Sequence, residues 1–218
     1  MKTTAETMKT MELKSNKIDL KKELAELYSA KKDKVKFIEV PELQYLMCDG
    51  YGDPNNSQLF ADAVEALFSL SYTIKFMFKK RTPSIDYAVM PLEGLWWSDD
   101  IANFSMDDRS AWRWTLMLLQ PDFVSAADIA TASDQLQKKK NPKMLSAIRF
   151  EKMIEGTCAQ TMHLGPFNTE PETIKMLHNT IAANGYKLTG KHREIYLSDM
   201  RKTAPEKLKT ILRQPVEK

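Results

Sequence analysis

Glu194 and Tyr196 stand two residues apart in KHREIYLSDM, a stretch with the aromatic and apolar content of a β-strand. Alternation along a strand sends His192, Glu194 and Tyr196 to one face, and Ile195 and Leu197 to the other. A carboxylate beside a phenol on a partly desolvated face can bind a cation or, with a raised pKa, take a proton from water as a general base. An unpaired buried carboxylate is costly, so Glu194 in a pocket needs Arg193, Arg113 or a ligand as partner. Two competing readings are a structural ion pair and a half-exposed edge strand, which carries the same alternation.

The four tryptophans fall on two aromatic stretches, PLEGLWW with Trp96 and Trp97, and WRWTLMLLQP with Trp112 and Trp114. Indole rings give large apolar area to a planar or cationic ligand, but they serve equally as core in a sheet. Trp112 and Trp114 share a strand face while Trp96 and Trp97 oppose each other, so one cavity cannot receive all four.

Other chemistries lack their residues. The stretch GYGDPN lacks the third glycine of a GxGxxG phosphate loop and carries Pro54, and it reads as a turn into a helix. Three histidines without ligand spacing, and two cysteines without a CxxC pattern, lead us to expect no metal and no cofactor. No GxSxG, HExxH or Walker sequence occurs. Lys and Arg exceed Asp and Glu by 32 − 29 = 3, too few to predict nucleic-acid binding. Lysine clusters such as 138–140 read as solvated surface. No run of about 18 apolar residues suggests a membrane span, and the first residues hold no signal-like apolar run, so a cytoplasmic location is expected.

The elements that must position these groups follow from periodicity. Residues 1–16 have no period and read as a flexible arm. Leu20, Leu24, Leu27 and Tyr28 predict an amphipathic helix over 19–30. After it come a strand over 36–52, a helix capped by Ser57, strands over 86–97 and 112–121, and a helical piece over 125–138. Beyond KKKNPK the order restarts: strand, a helix from Thr169 closed by Gly185, the Glu194 strand and a C-terminal strand. Local strings repeat in the same order: MCDGYGDP with MHLGPFNTEP, EGLWWSDD with EIYLSDM, and TLMLLQPDFV with TILRQPVEK. An internal duplication is therefore expected, with repeats at about 36–121 and 147–216 in a single domain over 17–218, and with Glu93 related to Glu194. The predicted class is α+β: duplicated strand-helix-strand-strand units forming curved antiparallel sheets, helices on one face, and a groove between the repeats.

Taken together, VPELQYLMCDGYGDPN, PLEGLWW, WRWTLMLLQPDFV and HREIYLSDMRKTAPEKLKTILRQPV resemble the GyrI-like (gyrase-inhibitory-protein-like) small-molecule-binding domains, over about Asp19 to Val216. The stand-alone group is the nearest in kind. The resemblance implies the duplicated fold with a ligand groove at its junction. It also implies that Glu194 matches the acidic residue at the bottom of an aromatic drug-binding pocket. Effector-domain relatives carry a helix-turn-helix unit, for which residues 1–36 are too short and lack the two-helix pattern. Met200 stands where that family commonly has proline.

Two functions follow from the resemblance. The first is binding of amphipathic aromatic or cationic small molecules, by a monomer or weak homodimer, without contact to nucleic acid or membrane. The second is a hydrolase that opens the strained ring of cyclopropanoid DNA-alkylating compounds. In that reading Glu194 activates water, Tyr196 or Tyr51 orients it, and Trp97, Trp112 and Trp114 clasp the flat substrate. A structural or adaptor protein without a cavity is the third class.

Overall fold

The structure, a computed structural model, describes residues 17–98 and 111–218. The expected N-terminal arm, residues 1–16, and most of the loop expected between the two tryptophan strands lie outside the described residues. Strands β1 (Lys36–Val40) and β2 (Leu43–Tyr51) are followed by the helix α2 (Gln58–Lys79), then β3 (Glu93–Ser98) and β4 (Trp112–Gln120). Helix α3 (Ala126–Lys139) leads to β5 (Arg149–Met153) and β6 (Gly156–Leu164), α4 (Glu170–Ala183), β7 (Lys187–Leu188), β8 (His192–Tyr196) and β9 (Lys209–Glu217). A short helix α1 (Leu20–Glu23) precedes them all.

Every ladder is antiparallel. The sheet curls in the order β1-β6-β9-β8-β3-β4-β2-β5, with β7 added beside β9. The unit β2-α2-β3-β4 is followed by β6-α4-β8-β9 with the same strand-helix-strand-strand order, and the two join edge to edge where β3 pairs with β8. Each unit turns from its first strand towards its helix through a glycine with positive φ, Gly52 at +83° and Gly165 at +137°, a backbone that side chains disfavour.

Local chemistry explains the helix starts. Ser57 accepts from the Phe60 amide as the N-cap of α2, and Ser125 with Asp128 forms a reciprocal capping box on α3. Thr169 occupies the N-cap position of α4 without a side-chain cap bond. Three cores result. Leu46, Leu116 and Leu118 pack against Leu67, Leu70 and Ile74 of α2, while Ala159 and Leu212 pack against Leu177 and Ile181 of α4. On the opposite face Tyr45, Met117, Ile195 and Ile211 meet Leu27 and Tyr28.

Three expectations need correction. The N-terminal helix spans four residues rather than 19–30, because the chain turns after Glu23 so that Leu24, Leu27 and Tyr28 can reach the sheet. The strand expected over 36–52 is broken at Pro41 and Glu42, which separate β1 and β2. The strand expected from Asp86 begins at Glu93; residues 88–92, which include Pro91, lie outside the strand and line a groove instead. Among the described residues no helix is long and apolar enough to cross a membrane.

Candidate functional site

The site lies where the units meet, on the face of the sheet that carries α2 and α4. Register pairs Gly94 of β3 with Glu194 of β8, and Glu194 in turn with Leu212 of β9. Leu212 packs beneath α4, and Trp96, two residues from Gly94, packs beneath α2, so Glu194 sits on that face between the two helix-covered cores.

Tyr196 follows two residues later on the same face. Its hydroxyl donates to Oε2 of Glu194 at 2.7 Å and accepts from the indole N–H of Trp96 at 3.2 Å. The absence of a side chain at Gly94 makes room for this chain of donors: a Cβ there would lie 2.8 Å from Trp96 Nε1 and 3.3 Å from the Tyr196 oxygen. The Phe167 and Tyr196 rings meet nearly perpendicular, with centroids 5.8 Å apart. Burial and the Glu194 carboxylate hold the Tyr196 phenol well above its ordinary pKa, so it stays protonated and acts as donor. The Glu194 side chain keeps 12% of its surface exposed.

His192, two residues before Glu194, approaches it at 3.8 Å. Burial, then the neighbouring His178, push the His192 pKa down to about 4, so the ring is neutral near pH 7 and this contact is not an ion pair.

Tyr196 also forms part of the wall of a groove of about 880 Å³. Phe60, Val64, Phe68 and Tyr72 of α2 supply one side, residues 88–92 another, and residues 196–201 the third. These α2 positions recur at every fourth residue, so they form a stripe about 18 Å long at 1.5 Å per residue. Phe60 ties the stripe to the tryptophans, 6.3 Å from Trp96 and 5.2 Å from Trp114 between ring centroids. The rim is charged, with Asp19, Lys21, Glu65, Asp199 and Arg201. Arg201 pairs with Asp199, which lowers the aspartate pKa to about 2 and keeps it ionised.

The sequence-predicted residues separate in space. Glu194 and Tyr196 come together, and Trp112 and Trp114 share their face of the sheet. Trp114 is fully buried and stacks over Gly50, where a Cβ would lie 2.0 Å from its ring, while Trp112 packs edge-on against Trp96. Both are core beneath α2. Trp97 points to the opposite face by strand alternation, with the Lys191 ammonium 3.2 Å from its ring centroid. Tyr51 ends β2 with 63% of its surface exposed and is not among the groove residues. Arg193 does not serve Glu194: it is buried on the other face, bonded to Glu93 and Glu155. Glu93, aligned with Glu194 by string similarity, pairs with Ile195 and therefore faces away from Glu194.

Trp96, Gly94 and Phe60 complete the cluster, and of these Gly94 and Phe60 were not singled out by sequence. Only Trp96 carried a signal, as the tryptophan on the opposite parity to Trp97. Among the described residues no group of three or more His, Cys, Asp and Glu side chains is placed to hold a metal ion.

Comparison with known proteins gives consistent relatives. The model of the GyrI-like small molecule binding domain matches residues 33–217. A solved Listeria innocua structure of an uncharacterized conserved protein is 43% identical, with a TM-score of 0.86, covering 92% of this chain and 100% of that one. A second Listeria innocua structure, described as a hydrolase, is 42% identical with a TM-score of 0.80 over the same shares. The C-terminal domain of EcmrR shares the fold at 17% identity, with a TM-score of 0.53, covering 85% of this chain and 98% of that one. None of the curated proteins matches the chain. With five-sixths of its length matched and close relatives aligned end to end, the chain belongs to the family of GyrI-like small-molecule-binding domains.

Proposed function

We propose that this protein binds an amphipathic aromatic compound in the groove beside α2, with a cationic or polar end directed at Glu194. The observation that carries this reading is the double role of Tyr196, which lines the groove and whose hydroxyl holds the Glu194 carboxylate. The groove volume falls within the range of about 300–1,000 Å³ common to small-molecule sites, and its lining is mainly apolar with few polar groups, as such sites require. An aromatic cation gains from both ring contact and the carboxylate. Titration of rhodamine 6G into the wild type and Glu194→Gln, followed by fluorescence anisotropy, tests it. Saturable binding weakened at least about tenfold by the substitution supports the reading; equal binding by both proteins overturns it.

A second reading, hydrolysis of the bound compound, is favoured by the 42% identical relative described as a hydrolase and aligned over its whole length. For a cyclopropanoid substrate, Glu194 would take a proton from water as the water oxygen bonds to a ring carbon. The strained C–C bond breaks, and its electron pair passes into the conjugated carbonyl, which becomes a phenol on protonation. Tyr196 would hold the carboxylate in position through its hydroxyl. Consumption of several equivalents of a cyclopropane-bearing alkylator per protein supports hydrolysis, and a single equivalent or none refutes it.

A further inference from the structure

Residues 18–30 precede the matched family domain, which begins at residue 33, yet they contribute to both faces of the sheet. At one end, the Ile18 amide donates to the Asp86 carbonyl at 2.9 Å and its carbonyl accepts from Ala88 at 3.2 Å. Ala88 opens the 88–92 wall of the groove, and Asp19 and Lys21 stand in the groove lining themselves. At the other end the chain passes to the opposite face of the sheet. There the Tyr28 hydroxyl donates to Oε1 of Glu93 at 2.6 Å, and Arg213 donates to the Leu27 carbonyl. Between these ends Leu20, Leu24 and Leu27 belong to the same apolar cluster as Met90, a groove residue only 2% exposed.

The hold is uneven. Helix α1 buries none of its residues and its N-cap Asp19 makes no side-chain cap bond, whereas Leu27 and Tyr28 are buried. The Tyr28 hydroxyl meets a carboxylate that is also bonded to Arg193, a charge-assisted contact at the centre of a fully buried cluster.

We propose that residues 18–30 form a strap that closes one side of the ligand groove, latched by the Tyr28–Glu93 bond on the far face of the sheet. The latch sets how readily the groove wall opens. This rests on the reading of the groove as the ligand site, and the test separates the two.

Met90→Cys places a thiol beneath the strap. The native thiols of Cys48 and Cys158 are buried, and burial pushes their pKa up to about 11 and about 12, so they react slowly. Maleimide labelling is compared for Met90→Cys alone, with Tyr28→Phe, and with Tyr45→Phe. The Tyr45 hydroxyl bonds Arg193 in the same cluster but from β2, and so serves as the control. Tyr28→Phe is expected to speed labelling about tenfold, through local opening, and Tyr45→Phe to leave it unchanged. In the Met90-containing proteins, Tyr28→Phe and not Tyr45→Phe is expected to weaken rhodamine 6G. Equal labelling rates in the two double variants overturn the strap. Faster labelling with Tyr28→Phe than with Tyr45→Phe, without any dye binding to the wild type, supports the strap and overturns only the aromatic-cation reading of the groove, whereas faster labelling with Tyr45→Phe overturns the strap.

Discussion

Tyr196 and Glu194 are joined by a 2.7 Å hydrogen bond along one face of β8, and the same tyrosine oxygen accepts from Trp96 across the junction of the two units. The direction of this chain matters. An indole N–H only donates, so it obliges the phenol to spend its proton on the carboxylate. The carboxylate is thereby held at the seam beside the groove in one orientation, its charge supported by a donor that burial keeps protonated.

Glu194→Gln keeps the size of the side chain and an acceptor for Tyr196 while removing the charge. Folding is expected to survive, with a melting temperature close to that of the wild type. Affinity for an aromatic cation should fall at least about tenfold, about 1.4 kcal/mol, while a neutral aromatic of similar shape should bind equally to both proteins. Calorimetric titration of the matched cation and neutral pair checks this.

Tyr196→Phe removes the link but retains the ring. Trp96 Nε1 loses its acceptor and Glu194 one of its donors, so stability should fall by about 1–3 kcal/mol in urea denaturation. If the second reading of the function holds, turnover should drop more than affinity, because the carboxylate is held less firmly in one orientation while Phe keeps the bulk of the side chain in the groove wall.

Gly50→Ala should damage the fold and spare the site. The new methyl would lie 2.0 Å from the Trp114 ring, and the tryptophan is fully buried against Phe60 with nowhere to move. Overpacking of this kind costs about 1–3 kcal/mol. A lowered unfolding midpoint, with dye affinity unchanged under conditions where the protein is folded, identifies Trp114 as core. A selective loss of affinity would instead make it part of the binding surface.

What the sequence reveals about this site depends on parity and distance. Alternation alone sets Glu194 and Tyr196 on one face and splits Trp96 from Trp97, because the period of a strand is two. The string similarity that equated Glu93 with Glu194 could not resolve a one-residue offset, and one residue reverses the face. In the structure Glu93 meets Arg193 in a buried cluster, whereas Gly94 is the residue opposite Glu194. The apolar stripe of α2 was legible as a helix face but not as two surfaces. Ala63, Leu67, Leu70 and Ile74 are buried, while Phe60, Val64, Phe68 and Tyr72, a quarter-turn away, line the groove. That division arises only once residues 88–92 and 196–201 are brought alongside, and no local pattern encodes it.

His192 gives the protein an acid-sensitive stability that can be assigned to one ring. Its folded pKa, about 4, lies below the value of about 6.5 for an unfolded histidine, because burial and then His178 oppose its charge. Between these values the unfolded chain binds the proton and the folded chain does not, so stability rises with pH across the window. The contribution is complete above about pH 6.5 and is lost as the pH falls towards 4, amounting to about 3 kcal/mol at about 1.4 kcal/mol per pH unit. His163 and His178 are shifted in the same direction, also mainly by burial, and add to the slope. The Asp199 carboxylate, held down to about 2 by Arg201, titrates below this window and does not oppose it. Urea denaturation at pH 7 and pH 5 should therefore show a loss of stability in the wild type that is smaller in His192→Gln. An equal loss in both proteins would mean that His192 is accessible to protons in the folded state, and that the carboxylate of Glu194, 3.8 Å away, compensates for its burial.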